Sequence, residues 1–163
     1  MPLFVVATPI GNLSDLSPRA REALSTAQVI LCEDTRHTRR LLSALGVPSP
    51  TLRTCHARNE AGRVGETLAR LAAGENVVLV SDAGTPGISD PGGHVVAAAL
   101  GAGHAVRALA GPCAIAAALS VSGFPASPSH ILGFPPRSAG DLRRFLADAS
   151  RLPGPFVLLE SGR

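Results

Sequence analysis

Val77-Val78-Leu79-Val80-Ser81-Asp82-Ala83-Gly84-Thr85-Pro86-Gly87-Ile88-Ser89-Asp90-Pro91-Gly92 is the stretch on which the fold class turns. Its β-branched start predicts a strand over 77–80. A long loop rich in Gly and Pro follows, then a helical run over 91–102 that Gly103 closes. In open α/β sheets, ligands bind beyond the carboxyl ends of the strands, so a small molecule is expected at this loop. Its fixed charges are Asp82 and Asp90, the wrong sign for a phosphate cradle, which needs backbone N–H groups and a cation. Two carboxylates suit hydroxyls, an ammonium or a sulfonium. Asp90, just before Pro91, also reads as a helix N-cap, whereas Asp82 has no helix start beside it.

Working outward, the same alternation repeats. Strands are expected at 3–7, 29–32, 51–55 and 105–109. Helices are expected from Pro18 with Ser17 as its cap, over 35–45 closed by Gly46, and over 59–73 closed by Gly74. Strands alternating with helices imply right-handed βαβ units and a mostly parallel sheet. Five units by residue 111 make a complete small domain, 1–111. A bridging helix over 113–122, strands at 130–133 and 156–160 and a helix over 141–150 follow. Residues 112–163 are therefore expected to hold a partial C-terminal domain, the start of a second α/β body.

Composition bounds the rest. The 163 residues are 45% hydrophobic and 17% charged, a globular balance, and every one of the fifteen basic residues is Arg. Net charge is +3, which permits an anionic partner without requiring one. Cys32, Cys55 and Cys113 are odd in number and lack a C-x-x-C, so neither a disulfide framework nor a zinc site is indicated. No metal is expected, and a reduced, cytoplasmic protein is the simplest reading. The start Met1-Pro2-Leu3-Phe4 lacks the basic region of a signal peptide. The longest apolar stretch, 95–121, is broken by His104, Arg107, Gly111 and Pro112, so no membrane span is expected.

Other reactive segments also sit at strand ends. Thr8-Pro9-Ile10-Gly11-Asn12-Leu13 follows the first strand and is not a G-x-G-x-x-G fingerprint. Glu33-Asp34-Thr35-Arg36-His37-Thr38-Arg39-Arg40 follows the second. There Arg36, Arg39 and Arg40 share one helical face that could hold phosphates or simply be solvated. His56-Ala57-Arg58-Asn59-Glu60 follows the third: His56 reads as a base or donor, and Asn59 and Glu60 equally as a cap and a first-turn acid. Gly111-Pro112-Cys113-Ala114 opens a helix whose free backbone donors could meet a ligand, with Cys113 a space-filler rather than a nucleophile.

Taken in order, these motifs resemble the tetrapyrrole methylase superfamily of S-adenosylmethionine-dependent methyltransferases. Phe134-Pro135-Pro136-Arg137 and Leu158-Leu159-Glu160-Ser161 extend the match along the whole chain. Within the family the chain is similar to the branch that methylates small-subunit ribosomal RNA. The resemblance implies a two-domain α/β homodimer with S-adenosyl-L-methionine as cofactor. The product would be a 2′-O-methyl ribose on a cytidine of 16S ribosomal RNA. Family members continue well past a position like Ser161, so only the first strands of the second domain are expected here.

Carried onto this chain, the cofactor loops fall at Pro9, at Asp82, Ala83, Gly84 and Thr85, and at Cys113 and Ala114. A ribose hydroxyl needs a base, for which Glu33, His56 and Glu60 are candidates. The RNA-facing side is expected at Arg36, His37, Arg39, Arg40 and Arg58. The alternatives are a methylase of a tetrapyrrole or other small molecule, whose acidic substrates arginines would also suit, and a domain fragment without activity.

Overall fold

The structure is a computed structural model that describes residues 1–48 and 50–160. The chain divides into two units between Cys113 and Ala114, two residues after the boundary expected at 111.

The first unit is a five-stranded, wholly parallel sheet. Its strands are β1 (Leu3–Val6), β2 (Val29–Cys32), β3 (Thr51–Thr54), β4 (Val77–Leu79) and β5 (Val106–Leu109), in the spatial order β3-β2-β4-β1-β5. Leu3 lies opposite both Val77 and Val106, and Val29 lies opposite Val77 and Thr51. The helices are α1 (Pro18–Thr26), α2 (Thr35–Ala44), α3 (Glu60–Ala72) and α4 (Gly93–Gly101). Because a crossover between parallel strands is right-handed, that strand order sends α1 and α2 to one face and α3 and α4 to the other.

Side-chain alternation along each central strand fills both layers. Val6, Ile30, Cys32, Val78 and Val80 pack with Ala20 and Leu24 of α1 and Leu42 of α2. Leu3, Val29, Leu31, Val77 and Leu79 pack with Leu71 of α3 and Val95 and Ala99 of α4. Strands buried on both faces need continuous apolar runs, which explains why 77–80 shows no polar alternation. The edge strand β3 carries Arg53 and two threonines, which blunt an exposed edge.

Helix ends follow the local chemistry. Ser17 caps α1 by accepting from the Ala20 N–H, and Asp34 caps α2 by accepting from the Arg36 N–H. Gly46 and Gly74, just past α2 and α3, take φ of +65° and +80°. The exception is α4, which begins at Gly93 rather than at Pro91; its N-cap residue is Gly92, so Asp90 is not its cap.

The second unit holds α5 (Ala114–Val121), β6 (His130–Gly133), α6 (Ala139–Ala149) and β7 (Phe156–Leu158). Strands β6 and β7 pair in parallel, with His130 opposite Phe156 and Ile131 opposite Val157. Ser138 caps α6 by accepting from the Asp141 N–H. A sheet of two strands has little apolar cover: Val121, Phe124 and Phe134 are exposed, and Leu119, Phe124, Phe156 and Leu158 line an open apolar groove of about 680 Å³. No helix among the described residues is long and apolar enough to cross a membrane.

Candidate active site at the carboxyl end of the sheet

The ladders run on past the strands and draw three strand ends together. The Cys55 N–H donates to the Cys32 carbonyl at 2.7 Å, and the Val80 N–H to the Leu31 carbonyl at 2.9 Å. Glu33, the next residue after β2, therefore emerges between the segment that carries His56 after β3 and the one that carries Asp82 after β4.

The loops after β1, β4 and β5 are laced to one another. Thr8 and Gly84 exchange two backbone hydrogen bonds, of 2.8 and 3.1 Å. The buried Thr8 hydroxyl donates to the Ser81 carbonyl at 3.3 Å. The Thr85 hydroxyl donates to the Pro112 carbonyl at 3.0 Å. Gly84 (φ +84°) and Gly87 (φ +82°), having no Cβ, allow turns that L-residues resist. Beside this lacing lies a crevice of about 410 Å³, walled by Pro9, Ile10, Leu13, Leu41, Asp82 and Ala83, with His37 and Arg40 on its α2 side.

The carboxylates around Glu33 differ in their compensation. Asp34 accepts from the Arg36 backbone N–H at 2.7 Å and from its guanidinium at 2.9 and 3.2 Å. Those bonds hold its pKa down at about 2. Asp82 Oδ1 accepts the Asp34 N–H at 3.1 Å, tying the β4 loop to the start of α2. Burial pushes Glu33 up, the charges of Asp82, Asp90 and Asp34 push the same way, and His56 pulls back. Burial also raises Asp90, with Asp82 adding to it and the Ser81 hydroxyl lowering it. A carboxylate held above its ordinary range is a better proton acceptor near neutral pH.

The remaining base candidates have distinct surroundings. Asn59 accepts from the His56 N–H at 2.7 Å and donates to Thr54, which fixes the His56 turn without capping α3. Glu60 is buried, and both of its oxygens are engaged: Oε2 accepts the Gly92 N–H at 2.5 Å, and Oε1 lies 2.8 Å from His94 Nδ1. Burial pushes the Cys55 thiol up to about 11 and raises Cys32, so both are inert packing groups.

The arginines separate in the same way. Arg36, Arg39, Arg40 and Ser43 line a shallow recess on the outer face of α2, so the shared helical face is formed. Within it Arg36 is paired with Asp34. Arg53, Arg63 and Arg70 all pair with Glu66, and the Arg53 pair fastens α3 to β3. Arg58 is exposed beside His56.

Residues 2–163 match the family described as Tetrapyrrole (Corrin/Porphyrin) Methylases. The chain belongs to that family. It is 47% identical over 159 residues to the ribosomal RNA small subunit methyltransferase I of Xylella fastidiosa, with 98% of this chain and 58% of that protein covered. It is 45% identical to the protein of the same name from Pseudomonas aeruginosa, again with 98% of this chain but 56% of the relative covered. The chain thus spans little more than half the length of these relatives. Among solved structures it resembles a uroporphyrin III C-methyl transferase from Thermus thermophilus, with a TM-score of 0.62, 23% identity and coverage of 98% of this chain and 70% of that one. That likeness speaks to the fold.

For a tetrapyrrole methylase, Pro9, Asp82 and Ala83 share one crevice, while Gly84 and Thr85 lace the loops that form it. Cys113, half-buried, ends the first unit and Ala114 begins the second. S-adenosyl-L-methionine fits the chemistry of this crevice: apolar Ile10, Leu13 and Leu41 suit an adenine, and Asp82 suits ribose hydroxyls or a sulfonium. Sequence reasoning missed the joint between Thr8 and Gly84 and the engagement of Glu60 by α4. The polar Thr8 and Ser81 in otherwise apolar surroundings were the available sign of the first; the second has no local sign.

Proposed function

We propose that this chain carries the cofactor-binding and base-bearing part of an S-adenosylmethionine-dependent methyltransferase that forms a 2′-O-methyl ribose on a cytidine of 16S ribosomal RNA. The observation that carries the reading is the placing of Glu33. A carboxylate with a raised pKa stands at the carboxyl end of the sheet beside Asp82 of the crevice, with an arginine face on the adjoining α2. Two relatives at 47% and 45% identity that bear the ribosomal RNA name support the substrate class.

S-adenosyl-L-methionine, when bound, supplies an activated methyl group, which leaves the protein to bind, align and deprotonate. Pro9, Ala83 and the apolar wall hold the cofactor, and Asp82 faces its polar part. Glu33 accepts the 2′-hydroxyl proton, with His56 beside it to take the proton onward. Arg39, Arg40 and Arg58 hold the phosphates, with His37 between the cofactor crevice and the RNA face. Arg36 contributes less, because Asp34 already compensates its charge. By the same resemblance the working protein is a cytoplasmic homodimer that meets its substrate in the small ribosomal subunit.

The test is methyl incorporation from labelled cofactor into small ribosomal subunits lacking the modification, run beside a porphyrinogen. Label in the RNA, lost in Glu33→Gln, supports the proposal. Label in the porphyrinogen alone would make the chain a small-molecule methylase. Absence of cofactor binding by calorimetry would leave a folded fragment without activity.

A further inference from the structure

We infer that Glu60 and His94 form a latch that positions the two walls of the site around Glu33, so that Glu60 serves the reaction through the backbone rather than on the substrate. This rests on the reading of Glu33 as the base. Strand order puts β2 between β3 and β4, so the segments bearing His56 and Asp82 flank Glu33 from opposite sides. Because β3 and β4 are not neighbours in the sheet, no strand ladder joins those flanking segments directly. Glu60 supplies a tie. Its own N–H donates to the His56 carbonyl at 2.9 Å, anchoring it to the β3 side. Its carboxylate reaches across to α4, where Oε2 accepts the Gly92 N–H at 2.5 Å.

The far end of the tie is built for it. Gly92 is the N-cap residue of α4 and has no side chain with which to cap. A side chain there would have to displace Leu79: at φ +119° a Cβ would stand 2.6 Å from Leu79 Cδ2. The Gly92 N–H, one of the helix-start donors without an intrahelical partner, is met by the buried Glu60 from α3. Removing a carboxylate from water is costly unless its oxygens are hydrogen-bonded. His94, the second residue of α4 with its side chain 71% exposed, holds the second oxygen and so doubles the grip on the helix start. The loop that carries Asp82 and Asp90 ends at this point, so the latch fixes the end of that loop.

Hydrogen exchange on the 163-residue protein, with cofactor titration and single-turnover methyl transfer, tests the latch in Glu60→Ala, Glu60→Gln and His94→Ala. Exchange over residues 84–96 should quicken about tenfold in Glu60→Ala, the scale of one hydrogen bond to a charged group. Cofactor affinity should fall in parallel. Glu60→Gln, which keeps an acceptor for Gly92 and a donor for His94, should restore most of both. His94→Ala, a change at an exposed ring that leaves the core intact, should fall between, and with the Gln variant it carries the comparison should Glu60→Ala not fold. Unchanged exchange over 84–96 in Glu60→Ala and His94→Ala would overturn the latch. So would a Glu60→Gln protein with normal exchange and cofactor affinity but no methyl transfer, because Glu60 would then act on the substrate. Wild-type protein that binds no cofactor would refute the proposed function, while the exchange comparison would still decide the latch.

Discussion

Gly92→Ala and Gly87→Ala form a matched pair that separates backbone strain from steric exclusion. Both glycines have positive φ, +119° and +82°, so an alanine at either pays a left-handed penalty of about 1–2 kcal/mol. Their surroundings differ. A Cβ at Gly87 meets nothing within 4 Å, whereas one at Gly92 lies 2.6 Å from Leu79 Cδ2 and 3.3 Å from Cδ1. Leu79 is only 1% exposed and cannot swing aside into solvent. Overpacking of that kind adds about 1–3 kcal/mol. Gly87→Ala should therefore cost about 1–2 kcal/mol, and Gly92→Ala about 2–5 kcal/mol from both effects. Urea unfolding followed by circular dichroism measures both. Adding Leu79→Ala to Gly92→Ala should relieve the clash, so the double variant should lose less than the two single losses together, with a coupling of about 0.5–3 kcal/mol. Equal losses at the two glycines, or strict additivity with Leu79→Ala, would show that the contact between Gly92 and Leu79 does not govern the start of α4.

Asp34→Asn should be less stable than the parent at neutral pH. A folded pKa of about 2 against an ordinary 3.8 gives stability that is present above the ordinary value and lost as pH falls toward the folded one, so melting curves should converge with acid. A gap independent of pH would show that the Arg36 pairing does not stabilise the fold. Glu33→Gln should show the opposite sign: its folded pKa is raised, first by burial, so the parent loses stability as pH rises through that value. The variant should therefore melt higher at neutral and alkaline pH and match the parent in acid; a variant that melts lower at neutral pH would refute the placing of Glu33. Joint replacement of Arg39 and Arg40 by Ala should flatten the salt dependence of RNA binding by a slope of about 1–2, while Arg36→Ala should leave it nearly unchanged. Equal effects from all three would mean that the pair with Asp34 opens in the complex.

What the sequence shows and what it hides divides along the range of the interactions. Gly46 and Gly74 mark helix ends because a positive φ is a property of one residue, and Ser17 and Asp34 cap their own helices. The apolar run 77–80 shows a strand buried on both faces, but nothing in it says that β4 lies between β2 and β1, since apolar faces do not name their neighbours. The start of α4 is misread for a related reason. Pro91 after Asp90 is a sound local signal, yet the helix starts only at Gly93, and the Gly92 N–H before it is met from 32 residues away by Glu60. Asp82 looks like a ligand-facing acid because no helix begins beside it in sequence. In the fold it also accepts the N–H of Asp34, 48 residues distant, so the side chain proposed to bind also has a structural part.

The uneven treatment of these acids is the best argument for which of them takes the proton. Adjacent carboxylates whose pKa values are driven apart mark a division of labour. Glu33 and Asp34 are neighbours in sequence, yet Arg36 takes one to about 2 while burial and three like charges lift the other. Asp82 is steadied by a backbone N–H, and Glu60 by Gly92 and His94. Compensation thus reaches the acids on both sides of Glu33, while Glu33 itself has only the partial offset of His56. Burial and repulsion that make Glu33 expensive to ionise are the same influences that make it accept a proton readily. A carboxyl so placed is what the base proposed for a weakly acidic ribose hydroxyl requires.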